Sequence, residues 1–332
     1  MLKIGLLGAG MIGNVHVDGF LTMKSKIARF AAVCDIDATK RNEFAQKYGL
    51  RTFSDLDEML ADPDIDVIDL CLPSFMHETF AVKIARAKKH LLIEKPIAFT
   101  IEAAQNIFSA ARENGVRVMV AQVIRFWPEY VKIKEICDSG DLGNIVTVYA
   151  ARLGQMVTWV DWYKDPAKSG ETLMNLTQHD IDYLHCLLGK PVSVYSAGTR
   201  DAGNNYNDVM NIFRFSCGAN AMVDGSLSMT AGYPFTMRMR VLGTKGTLEF
   251  SYTAGENIGT ESASSLMWYR PGEKGEKVKA DHYDPYGKEI EYFAGCIVNE
   301  KDTETVSEES VIQVLASILA AKESLSKGEI GL

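Results

Sequence analysis

Lys95 and His179 are the two residues whose types and positions best fit acid–base chemistry. Lys95 follows an apolar run in the segment Glu94-Lys95-Pro96, and His179 lies in a segment with helical periodicity. An ammonium group at the carboxyl end of a strand can hydrogen-bond a hydroxyl and stabilise the alkoxide that forms as hydride leaves carbon. An imidazole can accept the hydroxyl proton. Together these groups predict hydride chemistry on an alcohol.

The surroundings of His179 support more than one interpretation. Asn175, His179 and Asp182 are spaced i, i+4 and i+7, which predicts that they share one face of a helix. Taken alone, a histidine on a helix is more often structural than catalytic. A metal site of His179, Asp182 and Cys186 is conceivable, but mixed ligands on one helix make a poor tetrahedral set. We therefore expect no metal.

A glycine-rich turn provides the second chemical signal. Gly8-Ala-Gly10-Met-Ile-Gly13 follows the apolar run Leu2–Leu7 and opens a helical pattern. In a strand–turn–helix context, Gly8 allows the tight turn, Gly10 lets the backbone approach a pyrophosphate, and Gly13 lets helix and strand pack closely. The N–H groups at the helix N-terminus attract the phosphates. The pattern predicts a dinucleotide site.

The apolar run Phe30–Cys34 ends in Asp35, where such sites place the carboxylate that holds a ribose 2′-hydroxyl. An acid there repels a 2′-phosphate and no arginine follows directly, so NAD is favoured over NADP. Ligands of open α/β sheets bind beyond the carboxyl ends of the strands. The expected cofactor contacts are Gly8, Gly10, Met11, Ile12, Asp35, Leu72, Pro73, Ser74, His77, Glu94, Lys95 and Gln122.

Through Gln122 the sequence alternates strand-like and helix-like segments, which predicts βαβ units and a parallel sheet. Gly49 and Gly115 follow helix ends, where left-handed caps are expected, and Ser54 and Thr100 occupy expected N-cap positions. The predicted strands after Leu2–Leu7 are Ala31–Cys34, Val67–Leu72, Leu91–Ile93 and Val116–Ala121, and the helices are Thr39–Tyr48, Glu78–Lys88 and Ile101–Asn114.

Beyond Trp127-Pro128 the pattern changes: a short helix over Glu129–Asp138 and a strand that ends near Leu153 precede strands joined by short Gly- and Asn-rich turns, which predict an antiparallel sheet. We expect a helix over Leu173–Leu188, a polar excursion over 254–280 and two closing helices over 285–298 and 307–326. The predicted strands are Val192–Gly198, Val209–Phe215, Ala219–Leu227, Phe235–Leu242 and Thr247–Tyr252. The fold class is α/β, with a dinucleotide-binding domain over 1–122 and a substrate domain over 123–332.

Composition fits an enzyme of two domains. The chain has 332 residues and a net charge of −8, with no basic tract of the kind that nucleic-acid binding needs. Its six cysteines form no C-x-x-C pair, which indicates reduced thiols in a cytoplasmic protein. No uninterrupted apolar span is long enough for a transmembrane helix, so no membrane partner is expected.

The combination of motifs resembles the glucose–fructose oxidoreductase / inositol dehydrogenase / MocA family. The resemblance rests on the strand–GxGxxG–helix opening, Asp35, the Pro73-x-x-x-His77 segment, Glu94-Lys95-Pro96 and the histidine helix, and it covers nearly the whole chain. It implies a Rossmann domain followed by an α/β domain with a large, mostly antiparallel sheet. That sheet commonly builds homodimers or homotetramers in the family.

The resemblance also implies roles for individual residues. Lys95 and His179 match the catalytic lysine and histidine of the family, and Arg125 matches a substrate-side arginine. Asn175, Trp159, Trp162 and Tyr163 are the further candidates for substrate contact. For Trp159 and Trp162, packing of the loop is an equal alternative, as is an interdomain ion pair for Arg125.

The sequence departs from the family pattern in three places. Asn175 stands where aspartate is common, Thr177 stands where glycine is usual, and the glycine-rich approach is reduced to Ser169-Gly170-Glu171. An amide can orient a hydroxyl but cannot relay its proton. His179 and Lys95 must then carry the proton without an aspartate.

The function predicted from these features is NAD-dependent oxidation of a secondary hydroxyl on a sugar, polyol, inositol or sugar derivative. Lys95 would polarise the hydroxyl and His179 would act as the general base. Two alternatives stay open. One is an NAD-retaining glycoside hydrolase or lyase that uses transient oxidation, and the other is a dinucleotide-binding sensor without catalysis.

Overall fold

The computed structural model describes residues 1–158, 160–254 and 263–332. The chain forms two compact units. The first contains Met1–Phe126 and Tyr283–Ile312, and the second contains Trp127–His282 and Gln313–Leu332. A domain boundary at residue 122 would place residues 283–312 in the second domain. In the structure this stretch packs with residues 1–126 and belongs to the first compact unit. The functions assigned to the two domains stay predictions.

A parallel sheet forms the centre of the first unit. Six strands of the described chain lie in the order β3-β2-β1-β4-β5-β6, and every neighbouring pair is parallel. Apart from the exposed edge strand β3 and Asp69 in β4, the strand interiors are mostly apolar and buried, as expected for strands covered on both faces. The strands are β1 (Leu2–Leu7), β2 (Ala28–Cys34), β3 (Arg51–Phe53), β4 (Val67–Leu70), β5 (His90–Glu94) and β6 (Val118–Ala121).

Capping residues mark where several helices of the first unit begin and end. Asp37 and Thr100 accept backbone hydrogen bonds as N-caps, and Gly49 and Gly115 adopt left-handed C-caps at φ 70° and 68°. The prediction for Ser54 was wrong, because Asp55 supplies the cap of the next helix. The helices are α1 (Met11–Thr22), α2 (Ala38–Tyr48), α3 (Leu56–Ala61), α4 (His77–Arg86), α5 (Ile101–Asn114) and, later in the chain, α9 (Pro285–Val298).

Close packing of two helices brings residues 283–312 into the first unit. A Cβ placed on Gly287 of α9 would lie 2.3 Å from the carbonyl oxygen of Gly19 on α1. A side chain at either glycine would therefore force the helices apart. The contact depends on small residues more than 260 positions apart in sequence, so the local patterns do not reveal it.

The second unit is built on a large sheet in the order β14-β13-β12-β11-β7-β10-β9-β8-β15. Among the described strands of this second sheet, β7 and β10 form the one parallel pair, and the other neighbours are antiparallel. The strands are β7 (Ile145–Leu153), β8 (Pro191–Arg200), β9 (Tyr206–Phe215), β10 (Asn220–Ser226), β11 (Thr236–Gly243), β12 (Thr247–Thr253), β13 (Ala263–Tyr269), β14 (Glu276–Lys277) and β15 (Ile330–Gly331).

Helices α6 (Pro128–Asp138), α7 (Pro166–Ser169) and α8 (Gln178–Leu188) belong to the second unit, and α10 (Glu308–Lys327) spans the boundary at Ile312. The α/β fold class and the mostly antiparallel second sheet are confirmed. The expectation of a polar excursion over 254–280 was wrong in part, since β13 and β14 lie within it. Across the described residues, every helix is too short or too polar to span a bilayer.

Candidate functional site

The glycine turn joins β1 to α1 at the carboxyl edge of the parallel sheet. Gly8 has φ 108°, a conformation that side chains rarely adopt, and a Cβ there would lie 2.7 Å from the carbonyl oxygen of Cys71. A Cβ on Gly13 would lie 2.5 Å from the Gly8 carbonyl oxygen, so helix and turn are in close contact. Gly10 faces open space and precedes α1, whose first N–H groups receive no side-chain cap. This turn can accept an anion.

Asp35 lies beside the same turn. Its Oδ2 accepts a hydrogen bond from the Ala9 N–H at 2.8 Å, and its Oδ1 accepts one from the Asp37 N–H at 2.8 Å. A carboxylate has about four lone-pair sites, so it can still accept bonds from a diol. Arg41 also reaches this place and donates from Nη1 to the Asp35 carbonyl oxygen at 2.6 Å. Sequence reasoning did not identify Arg41, because it follows Asp35 by six positions.

Exposed apolar side chains follow three neighbouring strands of the sheet. Ile36 is 94% exposed, Met11 57% and Phe75 44%, and they follow β2, β1 and β4 respectively. At the end of β6, Gln122 is buried, and its Oε1 meets no hydrogen-bond donor within the described part of the chain. Apolar side chains in water and a buried amide oxygen without a donor both indicate a ligand surface. The residues at this edge fit a dinucleotide.

His77 links two of the loops at this edge. Its Nδ1 lies 2.8 Å from the carbonyl oxygen of Pro96, and its Nε2 lies 2.9 Å from that of Leu72. Burial lowers the pKa of His77, although the two carbonyl groups oppose that effect. The imidazole is fully buried. A neutral imidazole carries one N–H, so it donates to one of these carbonyl oxygens and contacts the other, which joins the loop after β4 to the segment after Lys95.

Lys95 is half-buried and follows β5 directly. Its backbone N–H donates to Oε2 of Glu94 at 3.0 Å. Oε1 of Glu94 lies 3.0 Å from Nε2 of His16, and both residues are buried. Burial opposes ionisation of Glu94, but the hydrogen bond from His16 and the charges of His16 and Lys95 hold its pKa below the usual value.

A buried ionisable cluster extends from His16 on α1. Nδ1 of His16 lies 2.9 Å from Oδ2 of Asp69, and Sγ of Cys71 lies 3.7 Å from the same nitrogen. Glu289 on α9 is fully buried nearby, and burial raises its pKa well above the usual value. Sequence reasoning missed this cluster. The available signal was Asp69, an acid inside the otherwise apolar strand β4.

The cluster also bears on the expected absence of a metal. Among described residues, the metal-ligating atoms that lie within 4.8 Å of one another belong to His16, Asp69 and Cys71. Both ring nitrogens of His16 already face carboxylate oxygens at hydrogen-bond distances of 2.9 and 3.0 Å. This arrangement is typical of a charge-paired imidazole. The absence of a metal stays a prediction.

Arg125 also belongs to the first unit. Its Nη1 donates to the carbonyl oxygen of Thr305 at 2.6 Å and to Oγ of Ser310 at 3.2 Å. Both partners precede Ile312 and lie in the same compact unit. The guanidinium therefore helps to attach the later stretch of chain to the first unit. A substrate role for Arg125 stays a prediction.

The second unit carries His179, on α8, directly after one wide π-helical turn over Leu173–Thr177. The expectation of a regular α-helix from Leu173 was wrong. Asn175 lies in the wide turn, so the i, i+4 rule of an α-helix does not place it on the same face as His179. His179 and Asp182 both lie on α8. The amide of Asn175 donates to the carbonyl oxygen of Ser169. Such turns are frequent at functional sites.

Two contacts fix this helical segment on the sheet. Arg152 of β7 donates from Nε and Nη2 to the carboxylate of Asp180 at 2.9 and 3.1 Å, and both residues are buried. A Cβ on Gly225 of β10 would lie 2.1 Å from Cγ2 of Thr177. The threonine thus fills space that a side chain on β10 would otherwise occupy. The backbone on either side of His179 is held in place.

The aromatic candidates lie between β7 and α7. Trp162 and Tyr163 are half-buried in a 3₁₀ turn, with ring centroids 4.4 Å apart. Trp159 lies outside the described residues. His185 on α8 has its Nε2 2.9 Å from Oγ of Ser317, which fits a packing role. Lys95 belongs to the first compact unit and His179 to the second.

Comparison with known proteins identifies both halves of the chain. Residues 2–122 match the family model described as an oxidoreductase family with an NAD-binding Rossmann fold. Residues 130–249 match the GFO/IDH/MocA C-terminal domain. Inositol 2-dehydrogenase of Salmonella typhimurium (strain LT2) is 30% identical over 264 residues, which cover 77% of this chain and 76% of that protein.

Two further proteins are similar over almost the whole chain. The uncharacterized oxidoreductase YrbE of Bacillus subtilis (strain 168) is 28% identical over 333 residues, which cover 98% of this chain and 94% of that protein. The crystal structure of aldose-aldose oxidoreductase from Caulobacter crescentus has a TM-score of 0.88 at 20% identity. It covers 100% of this chain and 99% of that chain. At that identity the likeness concerns the fold.

Proposed function

Since the chain belongs to the GFO/IDH/MocA family of oxidoreductases, we propose that it uses NAD to oxidise a secondary hydroxyl of a sugar, inositol or other polyol. The main support is the carboxylate of Asp35, which is held beside the glycine turn by the Ala9 N–H at 2.8 Å. An acid at that position suits a ribose diol and repels a 2′-phosphate. Bound NAD supplies the hydride acceptor.

Different residues of the first unit contact different parts of the dinucleotide in this proposal. Gly8, Gly10 and the N-terminus of α1 receive the pyrophosphate, with Met11 and Ile12 beside it. Ile36 offers an apolar surface for the adenine ring. The orphaned oxygen of Gln122 and the loop from Leu72 to Ser74 face the rest of the dinucleotide.

The acid–base step uses Lys95 and His179. The Lys95 ammonium donates a hydrogen bond to the substrate hydroxyl and stabilises the alkoxide charge as it develops. The imidazole of His179 takes the hydroxyl proton. Asn175 orients a neighbouring hydroxyl, and Trp159, Trp162, Tyr163 and Arg125 are the candidates for further substrate contact.

The test is a screen of inositols, aldoses, anhydrosugars and sugar acids for accumulation of NADH. We expect at least one polyol to release NADH from the wild-type protein. Lys95→Ala and His179→Ala should each lower kcat by about 100- to 10,000-fold, the usual contribution of a positioned acid or base. Their affinity for NAD should change by less than about threefold, since neither substitution removes the phosphate or ribose contacts.

Matched controls are Lys83→Ala, a half-buried lysine on α4 that pairs with Asp57, and His185→Ala, a second histidine of α8. Both should retain activity. Full turnover in the Lys95 or His179 variant would contradict the assigned roles. Substrate conversion without NADH would instead favour a cofactor-retaining hydrolase or lyase, and NADH binding without conversion of any polyol would favour a sensor.

A further inference from the structure

His16 connects two elements that frame the proposed catalytic lysine. It lies on the second turn of α1, fully buried, between Asp69 of β4 and Glu94 of β5. Its Nδ1 is 2.9 Å from Asp69 and its Nε2 is 3.0 Å from Glu94. One imidazole thus contacts two carboxylates from neighbouring parallel strands. Both contacts are hydrogen bonds only if both ring nitrogens carry protons or one carboxyl is protonated.

The charges around the ring favour the imidazolium. The titratable groups that face it are Asp69, Cys71, Glu94 and, from α9, Tyr286 and Glu289. Burial lowers the pKa of His16, but Asp69 and Cys71 oppose burial and raise it well above the usual value overall. An isolated carboxylate buried at this depth would be costly, and the imidazolium offsets that cost.

Glu94 connects His16 to Lys95 through its two carboxylate oxygens. One carboxylate oxygen faces His16, and the other accepts the backbone N–H of Lys95 at 3.0 Å. A carboxylate held at both oxygens has one orientation. We propose that His16 is a positioning residue for Lys95, which it holds in place through Glu94. The inference rests on the proposed function of Lys95 and adds a residue that touches neither substrate nor cofactor.

If His16 and its two acidic partners only filled space, apolar side chains would be expected in their positions. Apolar side chains of similar volume are often at least as stable as a buried ion pair. The chain instead buries an acid in β4, an acid at the end of β5 and a histidine on α1. The hydrogen bonds run from Asp69 through His16 and Glu94 to the peptide N–H of Lys95. They restrain the backbone of the residue whose side chain must be oriented for acid–base chemistry.

The direct test is amide hydrogen exchange of Lys95 in the full-length protein. In His16→Gln the amide nitrogen can take the place of only one ring nitrogen, and the amide oxygen, which cannot donate, then faces the other carboxylate, so the pair of bonds that orients Glu94 is lost. We expect exchange of the Lys95 amide to accelerate about tenfold or more, while Leu92 in the middle of β5 keeps its wild-type rate. An unchanged Lys95 amide, or equal acceleration at Lys95 and Leu92, would overturn the inference.

Kinetics supply a second readout. His16→Gln should lower kcat at least tenfold while KM and the affinity for NAD stay within about threefold, because a displaced lysine affects the transition state more than binding. The matched control is His90→Gln, at the opposite end of β5, where Nδ1 accepts the Arg117 N–H at 3.0 Å. Wild-type kinetics in His16→Gln, or an equal loss in His90→Gln, would contradict the positioning role.

Failure of this inference can be distinguished from failure of the proposed function. If the wild-type protein oxidises no polyol, the proposed function fails, and the exchange of the Lys95 amide still decides the role of His16. If His16→Gln does not fold, the ¹⁵N spectrum of the wild-type imidazole decides. A protonated Nε2 at neutral pH supports the bridge to Glu94, and an Nε2 without a proton overturns it, because Glu94, whose pKa lies below the usual value, would then face no donor.

Discussion

Asp35 and Arg41 place opposite charges at the position that should distinguish NAD from NADP. The carboxylate of Asp35 faces the glycine turn, and the Arg41 guanidinium donates to the backbone carbonyl oxygen of Asp35. The carboxylate can accept hydrogen bonds from a ribose diol, whereas a 2′-phosphate would be repelled. Removal of the carboxylate would leave the cation in place.

We therefore predict that Asp35→Ala changes cofactor choice. Loss of a charge-assisted hydrogen bond of about 1.5–3 kcal/mol should lower kcat/KM for NAD roughly 10- to 100-fold. The value for NADP should rise, since Arg41 can then pair with the 2′-phosphate. The measurement is the ratio of kcat/KM for the two cofactors with one substrate.

The control for this change is Asp37→Asn. It removes a negative charge two residues away, and asparagine retains the N-cap of α2 that Asp37 provides. Its cofactor ratio should stay close to that of the wild type. A wild-type protein that prefers NADP would refute the argument from the ribose.

Single residues differ in how readily the sequence reveals them. The positions of the glycine turn, Asp35 and Lys95 at the ends of strands could be predicted, because each follows an apolar run at a defined spacing, and their roles stay predictions. Ile36 and His16 could not. An apolar residue after a strand resembles ordinary loop sequence, and a histidine on α1 becomes significant only when β4 and β5 bring Asp69 and Glu94 to it.

Among the elements, the wide turn before α8 accounts for one departure from the family pattern. Thr177, which stands where the resemblance implies a glycine, is fully buried, and its Cγ2 occupies the space beside Gly225 of β10. Its hydroxyl donates to the Leu173 carbonyl oxygen at 3.2 Å. The space left by the absent side chain of Gly225 is thus filled by the Thr177 side chain, which belongs to the same wide turn as Asn175.

Gly225→Ala should therefore disturb this turn. The added Cβ would lie 2.1 Å from Cγ2 of Thr177, so the turn or the strand must shift. We expect a loss of about 1–3 kcal/mol in the free energy of unfolding, as for other overpacked cores, and a lower kcat. Urea denaturation measures the first effect.

A double-mutant cycle provides the control. Thr177→Ala removes the methyl group that collides with the new Cβ, so the double variant should regain about 1 kcal/mol or more relative to additivity. Additive effects of the two substitutions would show that the contact does not determine the turn.

Elements were predictable where their own sequence determines them. The buried strands, the left-handed glycines and the cap at Thr100 follow from local chemistry. Strand β3 and helix α3 were missed because they are short and β3 lies at the sheet edge, largely exposed. The wide turn was missed because its residues also suit an α-helix, and only the fit against β10 distinguishes the two.

On the scale of the whole chain, the first compact unit is assembled from two separate stretches. The second stretch contributes α9, which brings Glu289 to the cluster around His16. Both carboxyl oxygens of Glu289 lack hydrogen-bond partners within the described residues. No local pattern marks this acid as buried, because the elements that bury it are distant in sequence.

Glu289 should therefore make stability depend on pH. Burial raises its pKa well above the usual value, so the folded protein keeps a proton that the unfolded chain has released. The free energy of unfolding should fall as pH rises from the usual glutamate pKa towards the raised one, with a slope of up to about 1.4 kcal/mol per pH unit. Glutamine cannot ionise, so Glu289→Gln removes this term.

Urea denaturation of both proteins between about pH 5 and about pH 8 measures the effect. The difference in stability between Glu289→Gln and the wild type should grow in favour of the variant as pH rises, whatever its value at pH 5. The matched control is Glu291→Gln, the same substitution at a half-buried position of α9 that leaves the buried cluster intact. Parallel pH profiles for Glu289→Gln and the wild type would mean that the buried carboxyl is already ionised, and that His16 then compensates three carboxylates instead of two.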